Sequence, residues 1–199
     1  LRKEKAWNFV KKKIMVVDAK WLIEDLILRT QQTRKEALEF QQLDEATLNA
    51  RLGENSWSVL ECMEHLNLYG DFYLPEIETR IRESKRPFVD QFKAGILGNY
   101  LAKSMLPKKG MSTMKTFKSK NPIRSSLDLK CINRFIEQQE EMLQLLERSR
   151  GVDLNKTQIS TTLWKYLKIN LGDGFRFVIY HNQRHLDQAQ RVLAHFKGQ

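Results

Sequence analysis

From residue 17 to residue 196 the apolar positions recur every three or four residues in four long stretches. That is the spacing of amphipathic helices and not the alternation of strands. The first stretch predicts a helix over 17–42, with Asp18 near its start and Trp21, Leu22, Leu26, Ala37 and Phe40 among its apolar positions. A connection over 43–55 follows, and its Gly53 suits a turn. The second helix is predicted over 58–84. It opens on Ser58 with Glu61 three residues later, a capping box in which hydroxyl and carboxylate each satisfy a free backbone N–H. Trp57 before the cap and Cys62 at the fourth helical position are placed to form a hydrophobic staple. Pro75 lies inside this helix and predicts a kink near Gly70 and Asp71, and Arg86-Pro87 ends it.

Beyond that point the pattern is irregular. Residues 92–106 have room for a short helix, whereas 107–122 is rich in Lys, Ser and Thr and reads as loop. A third helix is predicted over 127–149 from the apolar series Leu127, Ile132, Phe135, Ile136, Met142, Leu145 and Leu146, with Gly151 as its stop. After a connection over 152–169, a fourth helix runs towards Phe196, capped by Asn170 with Asp173 at its third position. Strand signals are poor throughout. The fold class predicted is all-α, a four-helix bundle. Its crossover of roughly forty residues between helices two and three is long enough to let those two run in the same direction.

Composition adds bounds. At 199 residues and 41 % hydrophobic content, one domain over 15–199 can bury a substantial core, and no apolar run approaches the ~20 residues of a membrane span. Lys11-Lys12-Lys13 followed by an apolar run imitates the start of a signal peptide, but Asp18 and Lys20 end that run. A cytoplasmic protein is expected. The two cysteines, Cys62 and Cys131, are too few for a disulfide framework and fall in helical patterns where a thiol packs as a small hydrophobe.

The formal charge of +10 raises the question of nucleic acid, and its distribution answers it. Residues 1–14 contribute +5 and residues 103–130 contribute +7, leaving −2 for the remainder. The excess therefore sits in a basic N-terminal extension and a loop. Nucleic-acid binding is not expected, and Met15 is a candidate natural start.

The chemistry lies in three of the four histidines. His181 and His185 stand four apart in one helix, so their imidazoles share a face and can share one metal ion. His65, two turns inside the firmly capped second helix, can supply a third nitrogen from a facing element. Three imidazoles leave coordination positions open, as a catalytic site requires and a structural zinc site does not. Such a set suits Zn²⁺, Ni²⁺ or Fe²⁺ without selecting among them. Around it, Tyr69 is a candidate to hydrogen-bond a metal-bound ligand, and Gln188 is a candidate to orient an imidazole. Glu61 is read as a cap before a base, Cys62 as packing before a ligand, and Arg184 as a surface ion-pair partner. His195, near the C-terminus, is not expected to be a ligand.

These residues also carry a resemblance. The motif W-S-x-x-E-x-x-x-H-L from Trp57 to Leu66, with H-x-x-R-H-L-x-Q-x-x-R from His181 to Arg191, resembles the DinB/YfiT superfamily of metal-dependent helical bundles over roughly residue 15 to the end. Gly95-Ile96-Leu97-Gly98-Asn99-Tyr100 is also similar to stretches in DinB-like proteins. The resemblance implies an up-down-down-up bundle and a His triad at His65, His181 and His185. It further implies a divalent metal, a low-molecular-weight thiol as a second cofactor, a small-molecule substrate and a homodimer. Thiol S-transferase or hydrolase activity on small electrophiles is the activity it suggests, with a noncatalytic, metal-stabilised bundle as the alternative.

Overall fold

The computed structural model describes residues 15–107, 116–164 and 166–197. The basic extension over 1–14 and part of the basic loop, including Lys108, Lys109 and Lys115, lie outside the described residues. In chain order the elements are β1 (Val16–Asp18), α1 (Ala19–Phe40), α2 (Glu45–Asn49), α3 (Val59–Glu83), β2 (Gln91–Lys93), α4 (Ile96–Met105), α5 (Lys130–Arg148), β3 (Gln158–Ser160), β4 (Lys168–Asn170) and α6 (Leu171–Lys197).

The helix starts follow the predicted chemistry. Asp18 caps α1 by accepting from the Trp21 N–H at 2.8 Å, and Asn170 accepts from the Asp173 N–H at 2.8 Å at the head of α6. The capping box of Ser58 and Glu61 is fully formed. Helix α3 continues through Pro75. A 3₁₀ turn over Ser149–Gly151 finishes α5 at the predicted glycine.

Side-chain pairs give the direction of each long helix. Glu24 meets Arg150 and Gln41 meets Asn133, so α1 and α5 are antiparallel. Asn67 reaches the Cys131 carbonyl while Glu78 meets Arg148, so α3 and α5 are parallel. Tyr73 stacks near Phe177 and His65 near His185, so α3 and α6 are antiparallel. The bundle is therefore up-down-down-up, with α5 and α6 each packed against both α1 and α3. The crossover must climb the whole length of the bundle between two parallel neighbours. It does so along α6, carrying α4, and then passes over the start of α3.

The core has two parts. Leu22, Ile23, Tyr73, Ile77, Leu145 and Phe175 belong to one cluster, and Phe40, Leu60, Met63, Phe135, Leu186 and Val192 to the other. Between them lies a buried polar layer. Asn182 donates to Gln139 Oε1 at 3.0 Å, Thr33 stands beside the same oxygen, and the three histidines occupy the α3–α6 side of this level. Among the described residues no helix is long and apolar enough to cross a membrane.

Several expectations are corrected. Two short antiparallel pairs exist where strand signals were poor: β1 with β2, and β3 with β4. Each strand is three residues long, too short to show a period of two. Helix α4 begins at Ile96 rather than residue 92, because Gln91–Lys93 pairs with β1. Trp21, predicted among the apolar positions of α1, is more than half exposed while its neighbour Leu22 is fully buried.

Candidate metal centre

His65 comes from the second turn of α3, and His181 and His185 from the middle of α6. The antiparallel packing of these helices brings all three side chains together in a buried position. One nitrogen from each lies within 4.8 Å of the others. The closest pair, His65 Nε2 and His181 Nε2, is 3.2 Å apart, close enough for both to reach one ion through bonds of about 2.0–2.1 Å. The three rings pack edge to face, with centroids 4.6 to 5.0 Å apart.

Hydrogen bonds select the tautomers. The Lys120 carbonyl can only accept, so His65 Nδ1 carries the proton and donates to it at 2.6 Å. That leaves the His65 Nε2 lone pair facing His181. His185 Nδ1 lies 3.0 Å from Gln188 Oε1, which leaves its Nε2 free in the same way. Burial lowers the His65 imidazolium to about 4. It pushes His181 and His185 well below their ordinary value, with the charges of neighbouring imidazoles acting in the same direction. At neutral pH all three are neutral donors, and a metal ion meets no competing proton.

The surroundings are aromatic. Trp57 covers His65 at 4.6 Å and His185 at 5.5 Å between ring centroids, while Tyr69 stands 4.6 Å from His181 and 4.9 Å from His65. Burial raises the Tyr69 hydroxyl to about 12, so it keeps its proton at neutral pH. Lys120 places its ammonium 5.6 Å from the Tyr69 ring centre and donates to the Leu68 carbonyl. Phe177 stacks beneath His181.

The acid and thiol one turn before His65 on α3 are committed elsewhere. Glu61 accepts from Arg51 Nε and Nη2 at 2.9 and 2.8 Å, from the Ser58 N–H at 2.8 Å and from the Arg124 N–H at 2.5 Å. Burial alone would raise its carboxyl, but these donors outweigh burial and hold it below its usual value. Cys62 is fully buried in the core, where loss of solvent pushes its thiol far above the ordinary range. Arg184 is partly buried and donates to the Ser104 carbonyl at 3.3 Å, so it reaches the crossover rather than lying on open surface. His195 is exposed and pairs with the ring of Phe196, away from the triad.

The structure thus brings together the three histidines, Gln188 and Tyr69 that sequence spacing singled out. That spacing missed the roles of Trp57 and Lys120 as walls and of Arg51 and Arg124 as partners of Glu61. Lys120 is 55 residues from His65 along the chain, and no helical periodicity links the two.

No curated protein and no solved structure matches the chain. A family model described as the DinB superfamily matches residues 29–189, a span that includes all three histidines, the whole of α3 and α5, and the larger part of α1 and α6. The chain belongs to the DinB superfamily.

Proposed function

We propose that this protein is a metal-dependent enzyme in which His65, His181 and His185 hold one divalent ion, Zn²⁺, Ni²⁺ or Fe²⁺, for thiol S-transfer or hydrolysis of a small electrophilic substrate. The observation that carries the reading is a converging set of three neutral imidazoles, with the carboxylate of Glu61 and the thiol of Cys62, one turn before His65, otherwise engaged. A closed structural site would recruit a fourth side chain, whereas three ligands leave room for water or a substrate sulfur. When bound, such an ion supplies Lewis acidity that favours thiolate or hydroxide at neutral pH.

The chain's own residues do the rest. The Lys120 carbonyl and Gln188 fix two imidazole tautomers, which keeps the Nε2 lone pairs aimed inward before any ion arrives. Trp57 and Tyr69 exclude water from the ring faces. Tyr69, whose ring lies beside His65 and His181 and whose hydroxyl keeps its proton, would be available to donate to a ligand of the ion. In thiol transfer the sulfur would form a bond to the electrophilic carbon while the displaced group leaves with the thiol's proton.

The second reading is a noncatalytic bundle in which the ion pins α3 to α6, and the bridging of those two helices by the triad favours it. One experiment separates them. Protein loaded with one equivalent of Zn²⁺ is assayed for conjugation of low-molecular-weight thiols to small electrophiles and for ester and amide hydrolysis. Metal-dependent turnover lost in His181→Ala supports the enzyme; stabilisation by metal without turnover in either assay supports the bundle.

A further inference from the structure

The motif that opens α3 has a second set of contacts. Trp57 Nε1 donates to Asn121 Oδ1 at 3.1 Å, His65 Nδ1 to the Lys120 carbonyl at 2.6 Å, and Glu61 accepts from the Arg124 N–H at 2.5 Å. Glu61 and His65, four apart on one face of α3, and Trp57 just before its cap thus each hold a point on residues 120–124 of the crossover. The Lys120 ammonium closes the same contact from the other side, on the Leu68 carbonyl. The held segment is not relaxed. Arg124 has φ of 63°, in the left-handed region, and its N–H is the one that Glu61 holds. Asn121 and Arg124 are themselves exposed while Pro122 between them is buried, so these hydrogen bonds act together with one buried proline to keep the segment in place.

We propose that residues 117–124 form a strap that is clasped by Trp57, Glu61 and His65, and that closure of the strap and metal occupancy of the triad stabilise each other. The inference rests on the triad binding a metal. The coupling passes through a single imidazole. A cation on Nε2 draws electron density from the ring and makes Nδ1–H a stronger donor to the Lys120 carbonyl; the carbonyl in turn makes Nε2 a better ligand. By linkage, whatever the ion does for the strap the strap does equally for the ion's affinity. Asn121 and Glu61 are on this account positioning residues for His65: neither touches the ion, yet both set the ring's hydrogen-bond partner.

The test uses the full chain and Zn²⁺ alone. Stoichiometric Zn²⁺ binding by the wild type is established first, and its absence would remove the metal reading itself. With binding in hand, tryptic cleavage after Lys118, Lys120 and Arg124 is followed by mass spectrometry, with cleavage after Lys85 at the opposite end of the bundle as the control. Zn²⁺ is expected to slow the strap cleavages about ten-fold or more and to leave Lys85 unchanged. Asn121→Ala lies on the exposed strap and leaves the core intact. It is expected to raise the Zn²⁺ Kd about ten-fold without moving the thermal midpoint of the metal-free protein, and Asn121→Asp, which restores an acceptor for Trp57, is expected to recover the affinity. Equal strap cleavage with and without Zn²⁺, or a wild-type Kd in Asn121→Ala, would overturn the proposal.

Discussion

Helix α6 carries two buried polar clusters, one at its first turn and one two turns later, and they are built on opposite plans. At the first turn Arg176 donates to Asp173 at 2.6 Å and to Asn99 at 2.9 Å, while Asp173 also accepts from the Gly95 N–H at 2.7 Å. Both charged side chains are almost completely buried, and opposite charges face each other. At the second cluster His65, His181 and His185 turn like groups towards one another, nitrogen to nitrogen. The first cluster pairs its opposite charges within the protein and fastens α4 to α6, leaving Arg176 Nε without a hydrogen-bond partner. The second brings three imidazole nitrogens together, with the Nε2 lone pairs of His65 and His185 fixed by partners on Nδ1, an arrangement that suits a shared cation. Burial and polarity are common to both, so neither property alone marks a functional site; the meeting of like groups in place of opposite charges does.

Removing one member of each cluster separates the two most sharply. His65→Ala or His181→Ala should abolish stoichiometric metal binding, measured by titration and plasma mass spectrometry, while the helical circular-dichroism spectrum persists. Arg176→Met should do the reverse. It leaves the Asp173 carboxylate buried without its cation, which costs about 3–5 kcal/mol in chemical denaturation, yet one equivalent of metal should still bind.

Acid provides the next contrast. The unfolded chain takes up a proton on His65 near pH 6.5, and the folded metal-free protein does so only near 4. Between those values the unfolded state binds more protons, so stability is full above pH 6.5 and falls as the pH drops towards 4. The loss from His65 amounts to roughly 3 kcal/mol, and His181 and His185 act in the same direction. Denaturation curves of metal-free protein across this range check the sign; stability that rises on acidification would contradict the buried, neutral triad.

The smallest effect expected is that of Gln188→Leu. It removes the partner of His185 Nδ1 without touching a ligand, and a Zn²⁺ competition assay should show affinity about ten-fold weaker. Unchanged affinity would make Gln188 a bystander.

The two clusters also differ in how far the sequence disclosed them. The triad was legible because two of its members share a helix face at a spacing of four and the third follows a capping box that fixes its helix register. The Asp173–Arg176 cluster was half legible: Asp173 stood out as a helix-start residue, but its partners Gly95 and Asn99 come from a crossover whose path no local pattern specifies. The glycine-rich stretch that holds them carried a resemblance without a reason. The structure provides one, since a side chain at Gly98 would collide with the Asp173 carboxylate. The length of the crossover permitted α3 and α5 to run the same way and the resemblance implied that they do, but the crossover's hold on α3 through Lys120, Asn121 and Arg124 was not legible. Contacts between residues more than fifty positions apart leave no periodic trace. The short strand pairs escaped for the same reason, since three residues pair by tertiary placement and not by propensity.

The central claim is that the three imidazoles form one metal site. Its most direct test is the metal content of protein purified without chelator or nickel resin, determined by plasma mass spectrometry for the wild type and His185→Ala side by side. About one equivalent of a divalent transition metal in the wild type and none in the variant is the predicted result. Equal content in both, or none in the wild type even after reconstitution with Zn²⁺, Ni²⁺ and Fe²⁺, would contradict it.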